Sequence, residues 1–471
     1  MQCVLAVSIM ASCTKQDENI ITRCDIKLES DVMTPEALWA MGRIGSYSVS
    51  PDGKQVAYQV SYYSVEENRS NTVLYTLPLE GESEGALLGL GSDPVWLSND
   101  KLAFASKGEV WTMKANGKGR KQLTHTDGEV EGFLFSPDQK KVILIKQVPY
   151  HGIIQEQPAD LPKSTGRVIN DLMYRHWDHY VESIPHPFIL NLETGEEHDM
   201  LEGEPYECPM EPFGGIEQLA WSPDSKHIAY TCRTKTGLQM SISTDSDIFL
   251  YNIESGKTEN LCKGKYDMTQ LQQGIEPTKT LKDQPINQVG KSGDLYLNVG
   301  YDQNPKFSPD GRYVAWTSME RDGYEADRQR LCVYDLQNGT KQYITETFDS
   351  NVDDFVWAND SKTIYFLGVW HATENLYRTN LQGEVKQLSD YQADFGSLQL
   401  IDDTHLLLER HDYMHPADLY LGRVLGDSLA ELQQLTHEND HILSQLTFGK
   451  MQQYWVPTTD GKKELVWVML P

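Results

Sequence analysis

The chain has 471 residues, of which 23% are charged and 10% aromatic, and its formal net charge is −28 at pH 7. So acidic a surface repels nucleic acid and anionic membranes, which excludes nucleic acid as an expected partner. The sequence has no run of 18 apolar residues, so we expect no membrane-spanning helix.

Residues 1–32 are predicted to be an export and tethering segment. The apolar run over residues 4–11 has the length of a signal peptide, and Met10-Ala11-Ser12-Cys13 resembles a bacterial lipobox. Cys13 is therefore the candidate lipidation site, and we expect a periplasmic or envelope protein with a lipid anchor. The start lacks the positively charged residues that usually precede such a run.

A short helix is predicted next. Thr34 has the character of an N-cap, Pro35 suits the first helical position, and Gly42 suits the end.

A turn-plus-strand unit then recurs seven times. Proline presets φ at the first corner of a type I turn, and Asp accepts backbone hydrogen bonds there. The four copies that share a Ser-Pro-Asp turn begin at Ser50, Ser136, Ser222 and Ser308, and three looser copies lie at Trp96–Asp100, Trp357–Asp360 and Asp402-Asp403. Each turn leads into an apolar strand such as Val56-Ala57-Tyr58.

A second repeat runs in phase with the first: two further strands joined by a Gly- or Asn-rich turn, such as Asn116-Gly117 or Asn338-Gly339. Seven copies of each unit predict an all-β chain that folds as a seven-bladed β-propeller over residues 33–445. The alternative is a β-sandwich, which lacks in-phase repeats of this kind.

Two copies are separated from the next by about twice the usual interval, which predicts two long rim insertions at residues 150–186 and 261–301. The first contains an expected helix over residues 167–180, rich in aromatic and charged side chains, and the second reads as a long polar loop. Long insertions on one rim are where propellers usually carry function.

The C-terminal residues 446–471 are predicted to form a hairpin that turns at Asp460-Gly461. The apolar return arm over residues 465–470 has no obvious partner in the sequence, which is an aggregation liability for an exposed strand.

The sequence shows no nucleophile elbow between a strand and a helix, no phosphate-binding loop and no HExxH motif, so it predicts no catalytic residue, cofactor or metal ion. His176 and His179 would share a face of the expected helix, but a metal site needs a third ligand. The alternative for these residues is a polar, aromatic helix that packs on the rim. The cysteines show no metal-ligand spacing, and Cys232 and Cys332 are expected to be buried thiols.

Two polar segments are candidates for holding the amino group of a peptide. Acidic side chains at such a rim would pair with an ammonium group, although an exposed charged turn is the simpler alternative. The candidate residues are Glu211, Glu217, Arg321, Glu325 and Asp327.

Several segments together resemble the N-terminal propeller of prolyl oligopeptidase-family serine peptidases, in the branch of bacterial dipeptidyl-peptidase V and acylaminoacyl-peptidase-like enzymes. The resemblance spans residues 33–471. The segments that carry it are Met33–Trp39, Val49–Lys54, Met173–Asp178, Ala220–Ser225 and Tyr313–Met319. The Ser-Pro-Asp repeat alone is shared with periplasmic TolB-like propellers.

The resemblance implies a hydrolase domain after the hairpin, and it is in that domain that the family carries its Ser-Asp-His triad. We therefore expect a propeller truncated before that domain, inactive alone, which acts on peptide substrates through the missing domain and gates their access. One alternative is a stand-alone TolB-like binding module of the envelope. Another is a pseudoenzyme subunit that completes a separate chain.

Overall fold

The computed structural model describes residues 20–81, 83–150, 154–155, 159–170, 172–262 and 299–470. Cys13 and most of the second insertion lie outside these residues. The predicted first helix is present as α1 (Pro35–Ala40), and the Thr34 hydroxyl accepts a hydrogen bond from the backbone N–H of Ala37. Within the described part of the chain, no helix has the length and hydrophobicity that crossing a membrane requires.

Seven four-stranded antiparallel sheets form the blades, as the repeats predicted. Strands are numbered β1 to β34 along the chain. Blade 1 contains β1 (Arg43–Val49), β2 (Gln55–Ser64), β3 (Arg69–Pro78) and β4 (Ala86–Leu90); blade 2 contains β5 (Ser92–Ser98), β6 (Lys101–Ser106), β7 (Glu109–Lys114) and β8 (Lys121–Gln122); blade 3 contains β9 (Gly132–Phe135), β10 (Lys141–Pro149), β15 (Ser183–Asn191) and β16 (Glu197–Asp199).

The remaining four blades follow the same order from the first strand to the fourth. Blade 4 contains β17 (Leu219–Trp221), β18 (His227–Cys232), β19 (Asp247–Asn252) and β20 (Thr258–Asn260); blade 5 contains β21 (Asp302–Phe307), β22 (Tyr313–Ser318), β23 (Arg330–Asp335) and β24 (Thr340–Tyr343); blade 6 contains β25 (Asp354–Trp357), β26 (Thr363–Trp370), β27 (Thr373–Asn380) and β28 (Lys386–Gln387); blade 7 contains β29 (Asp394–Leu400), β30 (His405–His411), β31 (Asp418–Leu425) and β32 (Ser428–Gln434).

The other described elements lie outside the blades. They are β11 (Ile154–Gln155), β12 (Val168–Ile169), β13 (Arg175–His176), β14 (His179–Tyr180), a 3-10 turn (Ile216–Gln218), α2 (Gly237–Ile242), α3 (Asp440–Leu443), β33 (Lys450–Pro457) and β34 (Lys463–Leu470). The pairs β11–β12, β13–β14 and β33–β34 are each two-stranded antiparallel sheets.

The helix expected over residues 167–180 is wrong. The structure has β12, β13 and β14 there, and Arg175 and His176 pair with Tyr180 and His179 across a two-residue turn. Two β-branched residues (Val168 and Ile169) and three aromatic residues (Tyr174, Trp177 and Tyr180) in this segment favour strands. The charge and the i, i+3 histidine spacing were therefore misleading signals.

Because neighbouring strands are antiparallel, the connections of each blade fall on two opposite faces of the ring. The turns between first and second strands and between third and fourth strands occupy one face, here called the short-turn face. The connections between second and third strands, and from each blade to the next, occupy the other, here called the long-connection face. The first insertion, the segment before Arg43 and the C-terminal hairpin all belong to the long-connection face.

The Ser-Pro-Asp turns also link neighbouring blades. In the first copy the Ser50 hydroxyl donates to the Asp52 carboxylate at 2.7 Å, and this hydrogen bond lowers the pKa of Asp52. The backbone N–H of Asp52 then donates to Asn99 of blade 2 at 3.1 Å. The equivalent N–H groups of Asp138 and Asp310 donate to serine hydroxyls of the next blade at 3.1 and 3.0 Å.

The hydrophobic core is divided between the blades. Each of the seven interfaces between adjacent blades holds its own buried apolar cluster in the described residues. Three inner-strand tryptophans tie alternate blades to the preceding one through their indole N–H groups. The hydrogen bonds run from Trp96 to Ser48 O (2.9 Å), from Trp221 to Leu134 O (3.0 Å) and from Trp357 to Lys306 O (3.1 Å).

The ring closes between blades 7 and 1 through side chains. Each blade is built from its own consecutive strands, so among the described strands none is exchanged across this seam. Leu407 and Leu419 of blade 7 pack in one buried cluster with Val56 and Val60 of blade 1. Polar contacts flank the apolar cluster: the backbone N–H of Val49 donates to Gln399 Oε1 at 2.9 Å, and the Tyr47 hydroxyl lies 2.9 Å from the Ser397 hydroxyl.

We expect Leu407→Ala to lower the free energy of unfolding by about 2–5 kcal/mol, because the fully buried leucine would leave a cavity in the closing cluster. Urea unfolding followed by tryptophan fluorescence measures the loss. The control is Leu425→Ala in the same blade, where the side chain is 42% exposed and the expected change is within about 0.5 kcal/mol. Equal losses in the two variants would show that the seam does not limit stability.

Candidate functional site

A buried carboxylate lies where blades 3 and 4 meet the long-connection face. Glu207 is 0% exposed, and its side-chain oxygens lie 3.5 Å from His176 Nε2 and 3.5 Å from Arg233 Nη2. Both partners are themselves buried. Neither carboxylate oxygen has a hydrogen-bond partner in the structure. A buried carboxylate needs compensating positive charge, so His176 and Arg233 fix this position in the fold.

Three different connections supply these groups. His176 comes from the β13–β14 hairpin of the first insertion, Glu207 from the link between blades 3 and 4, and Arg233 from the residue after β18. Arg233 also donates to Ser243 O at 2.8 Å, which ties it to the segment after α2. Tyr301 lies in the field of Arg233 and Glu207, and burial raises the pKa of its phenol. The Glu207 cluster (His176, Glu207, Arg233 and Tyr301) therefore joins the first insertion to blades 4 and 5.

Glu211 lies four residues after Glu207, close enough to this cluster for the two carboxyls to interact electrostatically, and it is half-buried. Burial raises the pKa of its carboxyl, and the neighbouring charge of Glu207 raises it further. The segment that carries it is held by Gln218, whose Oε1 accepts from Met210 N at 2.8 Å, and by a turn in which Gly214 N donates to Met210 O at 2.8 Å. Glu211 is thus a positioned carboxylate whose ionised form is partly desolvated, which strengthens its attraction for a cation.

The other predicted rim residues have different surroundings. Glu217 is exposed, and its Oε1 accepts from Gly215 N at 2.7 Å. Arg321 and Asp327 pair with each other, with Arg321 Nε 2.9 Å from Asp327 Oδ1, so that loop satisfies its own charges. Burial acts to raise the pKa of Asp327, but the hydrogen bonds from Arg321 act in the opposite direction, and the pKa is lowered overall. Glu325 is exposed and acts on Tyr301 electrostatically, which places it near the Glu207 cluster.

The structure brings Glu211 and Glu325 toward the same cluster, whereas Arg321 and Asp327 neutralise each other. The assignment of all five to a substrate rim stays a prediction. Sequence reasoning missed Glu207 and Arg233. The one available signal was that Arg233 is charged at the end of an apolar strand, where a charge needs a buried partner.

A metal-ligand geometry occurs once among the described residues, away from His179. Buried Asp247, Cys262 and Asp302 place their ligand atoms within 4.8 Å of one another. Burial raises the pKa of Asp302 to about 6, while the ammonium of Lys341 acts in the opposite direction. Lys341 also donates to Cys262 O at 2.8 Å, so its positive charge balances the carboxylates in this buried network.

The bare spacing Gly-x-Ser-x-Gly is present at residues 81–85, although the sequence offers no nucleophile elbow. The segment joins β3 to β4 within blade 1, and the Ser83 hydroxyl donates to Glu84 O. A nucleophile elbow requires a strand-to-helix turn. This serine therefore lacks the required context.

A second group of carboxyls lies at blades 6 and 7 on the long-connection face. Burial raises the pKa of Glu374 to about 8, and Asp353, Asp394 and Asp354 raise it further. Its backbone N–H donates to Asp394 at 2.7 Å, which fixes the two carboxyls close together. Glu374 therefore holds its proton near neutral pH.

The C-terminal hairpin packs over the same two blades. Tyr413 of the β30–β31 connection makes two hydrogen bonds to the backbone at the start of β33. Its hydroxyl accepts from Met451 N at 3.1 Å and donates to Gly449 O at 3.3 Å. Trp467 donates to His371 O at 3.3 Å, and the rings of His371 and Trp455 meet edge-to-face at 4.9 Å. The hairpin, the first insertion and the Glu207 cluster thus share one face of the propeller.

Comparison with known proteins agrees with this architecture. The chain is 40% identical over 453 residues to dipeptidyl-peptidase 5 of Porphyromonas gingivalis and 36% identical over 456 residues to that of Porphyromonas endodontalis. These matches cover 93% and 94% of the chain. The chain is thus similar in sequence to part of two proteins named dipeptidyl-peptidase 5. It spans 60% of the length of both relatives, and no protein-family model matches it.

Solved structures support the propeller fold. An acylaminoacyl peptidase from Pyrococcus horikoshii matches 92% of the chain with a TM-score of 0.64 at 14% identity, over 58% of its own length. The β-propeller domain of the trilobed protease from Pyrococcus furiosus matches 85% of the chain with a TM-score of 0.52 at 14% identity, over 98% of its own length. The predicted seven-bladed β-propeller fold is therefore confirmed.

We expect Glu374→Gln to flatten the fall in stability between about pH 4.5 and pH 8. The folded state keeps the Glu374 proton up to a pKa of about 8, whereas the unfolded state loses it near the ordinary pKa of 4.5. The folded state binds more protons across this window, so rising pH favours unfolding of the parent protein. Below pH 4.5 the carboxyl is protonated in both states and the effect is absent.

Thermal melts from pH 4 to pH 9 measure this effect. The variant should exceed the parent in melting temperature at pH 8 and match it at pH 4. Glu254→Gln, an exposed residue of blade 4, is the control and should follow the parent at every pH. Parallel curves for the parent and Glu374→Gln would contradict the shifted pKa.

Proposed function

We propose that this chain is the substrate-gating propeller of an exported serine aminopeptidase of the dipeptidyl-peptidase or acylaminoacyl-peptidase type. The observation that carries the proposal is the 40% identity over 453 residues to a protein named dipeptidyl-peptidase 5. Catalysis itself would belong to a hydrolase domain, and the propeller would restrict which peptides reach it. Export rests on the sequence of residues 4–13 alone.

Geometry supports gating from the long-connection face. The C-terminal hairpin leaves the propeller there, beside blades 6 and 7, and the first insertion rises from blade 3 on the same face. A hydrolase domain that continued from the hairpin would face the insertion and the Glu207 cluster. A fixed lid of this kind excludes water and large polypeptides from a site below it.

Within this lid we assign the peptide amino group to Glu211. Its carboxylate is half-buried beside the Glu207 cluster, and the strongly acidic chain attracts cations. Glu325 approaches the same cluster from blade 5 and adds negative charge. An ammonium group bound there would set how many residues extend from the rim to the catalytic centre.

A stand-alone TolB-like module would pair its last strand within a blade. In the described residues β34 pairs with β33 in a separate sheet, in register from Lys450 opposite Leu470 to Pro457 opposite Lys463. This pairing places β34 outside the seven blade sheets, which counts against the stand-alone module.

Glu211→Gln should weaken binding of a free-amine dipeptide amide by about tenfold or more, because a charge-assisted hydrogen bond to the ammonium is lost. Calorimetric titration of the chain with Ala-Ala amide and with its N-acetyl form measures the effect. The acetylated probe should bind weakly to both proteins. Because the pKa of Glu211 is raised, binding should fail on acidification at a higher pH than an ordinary glutamate would give.

Glu254→Gln, on the short-turn face of blade 4, is the matched control and should leave the affinity within about twofold. Equal affinity for the free and acetylated probes would overturn the assignment of the amine site.

The gating role is tested in the Porphyromonas gingivalis relative. Replacing the segment that aligns with residues 150–182, which ends before β15, by a short turn should raise cleavage of long peptides relative to dipeptidyl substrates, because this part of the rim would no longer obstruct them. An insertion of similar length at the position of Asn116-Gly117, on the short-turn face, is the control. Unchanged discrimination between long and short peptides after the deletion would contradict gating by this insertion.

A further inference from the structure

Two large aromatic side chains stand exposed beside Glu211. Trp177 is 72% exposed and Phe213 is 78% exposed, and their rings meet edge-to-face with centroids 5.1 Å apart. Exposed aromatic rings of this size are unusual because burial would remove them from water favourably. The pair therefore forms an apolar surface next to a carboxylate.

The two rings belong to different connections and are held from below. Trp177 is the tip of the β13–β14 hairpin, whose preceding residue His176 is buried against Glu207. Phe213 lies two residues after Glu211 in the loop fixed by Gln218. The buried contact of His176 with Glu207 and the hydrogen bond from Met210 to Gln218 position the two rings, so their contact does not depend on a single flexible loop.

Trp177 also has a left-handed backbone, with φ of 40°. A bulky residue rarely adopts this conformation, and such strain persists where the surrounding structure over-determines it. Here the hairpin pairing of His176 with His179 and the hydrogen bond from Val181 N to Tyr174 O, 2.9 Å long, hold the turn. The fold therefore holds the Trp177 ring exposed at a local cost in backbone strain.

We infer that Trp177 and Phe213 are specificity-determining residues that contact an apolar side chain near the amino end of the peptide substrate. The inference rests on the proposed function, since Glu211 would hold the amino group of the same peptide. His176 and His179 both act electrostatically on Glu211, which places the hairpin tip and this carboxylate in one neighbourhood. A bound ammonium would therefore bring the first side chains of its peptide to the ring pair.

The occupant follows from shape and charge. Two exposed rings that meet edge-to-face at 76° present a surface of aromatic carbon, which suits an aliphatic or aromatic side chain. The nearby carboxylate selects a cationic end on the same molecule. Peptides that begin with glycine would use the carboxylate but not the rings.

The test is calorimetric titration of the chain with Leu-Ala amide and Gly-Ala amide. We expect Leu-Ala amide to bind about tenfold more tightly, since partial burial of a leucine side chain is worth that much. Trp177→Ala and Phe213→Ala should each bring the two affinities within about twofold, mainly by weakening the leucine probe. Circular dichroism melts show whether the variants fold like the parent.

Tyr324→Ala is the matched control, because this tyrosine is 54% exposed on the same face in the connection between β22 and β23. It should leave the preference for leucine unchanged. Equal binding of the two probes to the parent, or a preference that survives in both Trp177→Ala and Phe213→Ala, overturns the inference while the amine site stands. If the N-acetyl form of Leu-Ala amide binds as tightly as the free amine, or if neither dipeptide binds, the proposed amine site fails and the inference fails with it.

Discussion

The seam between blades 7 and 1 is the constraint on which the rest of the structure depends. A ring of blades offers each sheet two neighbours, and every interface except this one joins sheets that are consecutive along the chain. Here the apolar cluster around Leu407 and Val56 closes the ring, a role that strand exchange has in other closed sheets. Asn439, almost fully buried, adds two 2.9 Å hydrogen bonds to the backbone of Gly42 and so fixes the first strand against the last blade.

Closure in turn decides where chemistry is displayed. With the ring complete, short turns linked by Asp52, Asp138 and Asp310 form one face, and every long connection is directed to the other. The buried Glu207 contacts His176 and Arg233, and these contacts hold three separate connections together on that face. Of the residues that we assign to substrate, Trp177 and Phe213 are exposed and Glu211 is half-buried. Their positions depend on the buried residues of the Glu207 cluster.

Much of the fold was predictable because it is written in local patterns. The Ser-Pro-Asp turns and the paired glycine turns specify strand ends through backbone geometry alone, and their repetition gives the blade number. The first insertion was not predictable in the same way. Residues 167–180 have no repeat to set their register, and their helix and strand preferences are balanced. The contact of His176 with Glu207, which is distant in sequence, helps to fix the hairpin. The site depends on such distant pairs, which leave little trace in the spacing of residues; Glu211 was found only as a carboxylate near a glycine pair.

Because each blade consists of neighbouring strands, most of the propeller can assemble in step with synthesis as the chain leaves the ribosome. The last seam is different, since it unites residues near 56 with residues near 407, and such long-range contacts carry a larger loop-closure entropy than contacts between consecutive blades. Until blade 7 emerges, blade 1 exposes an apolar flank that invites association with other chains. A nascent chain of this protein is therefore most dependent on chaperones shortly before its final blade is translated.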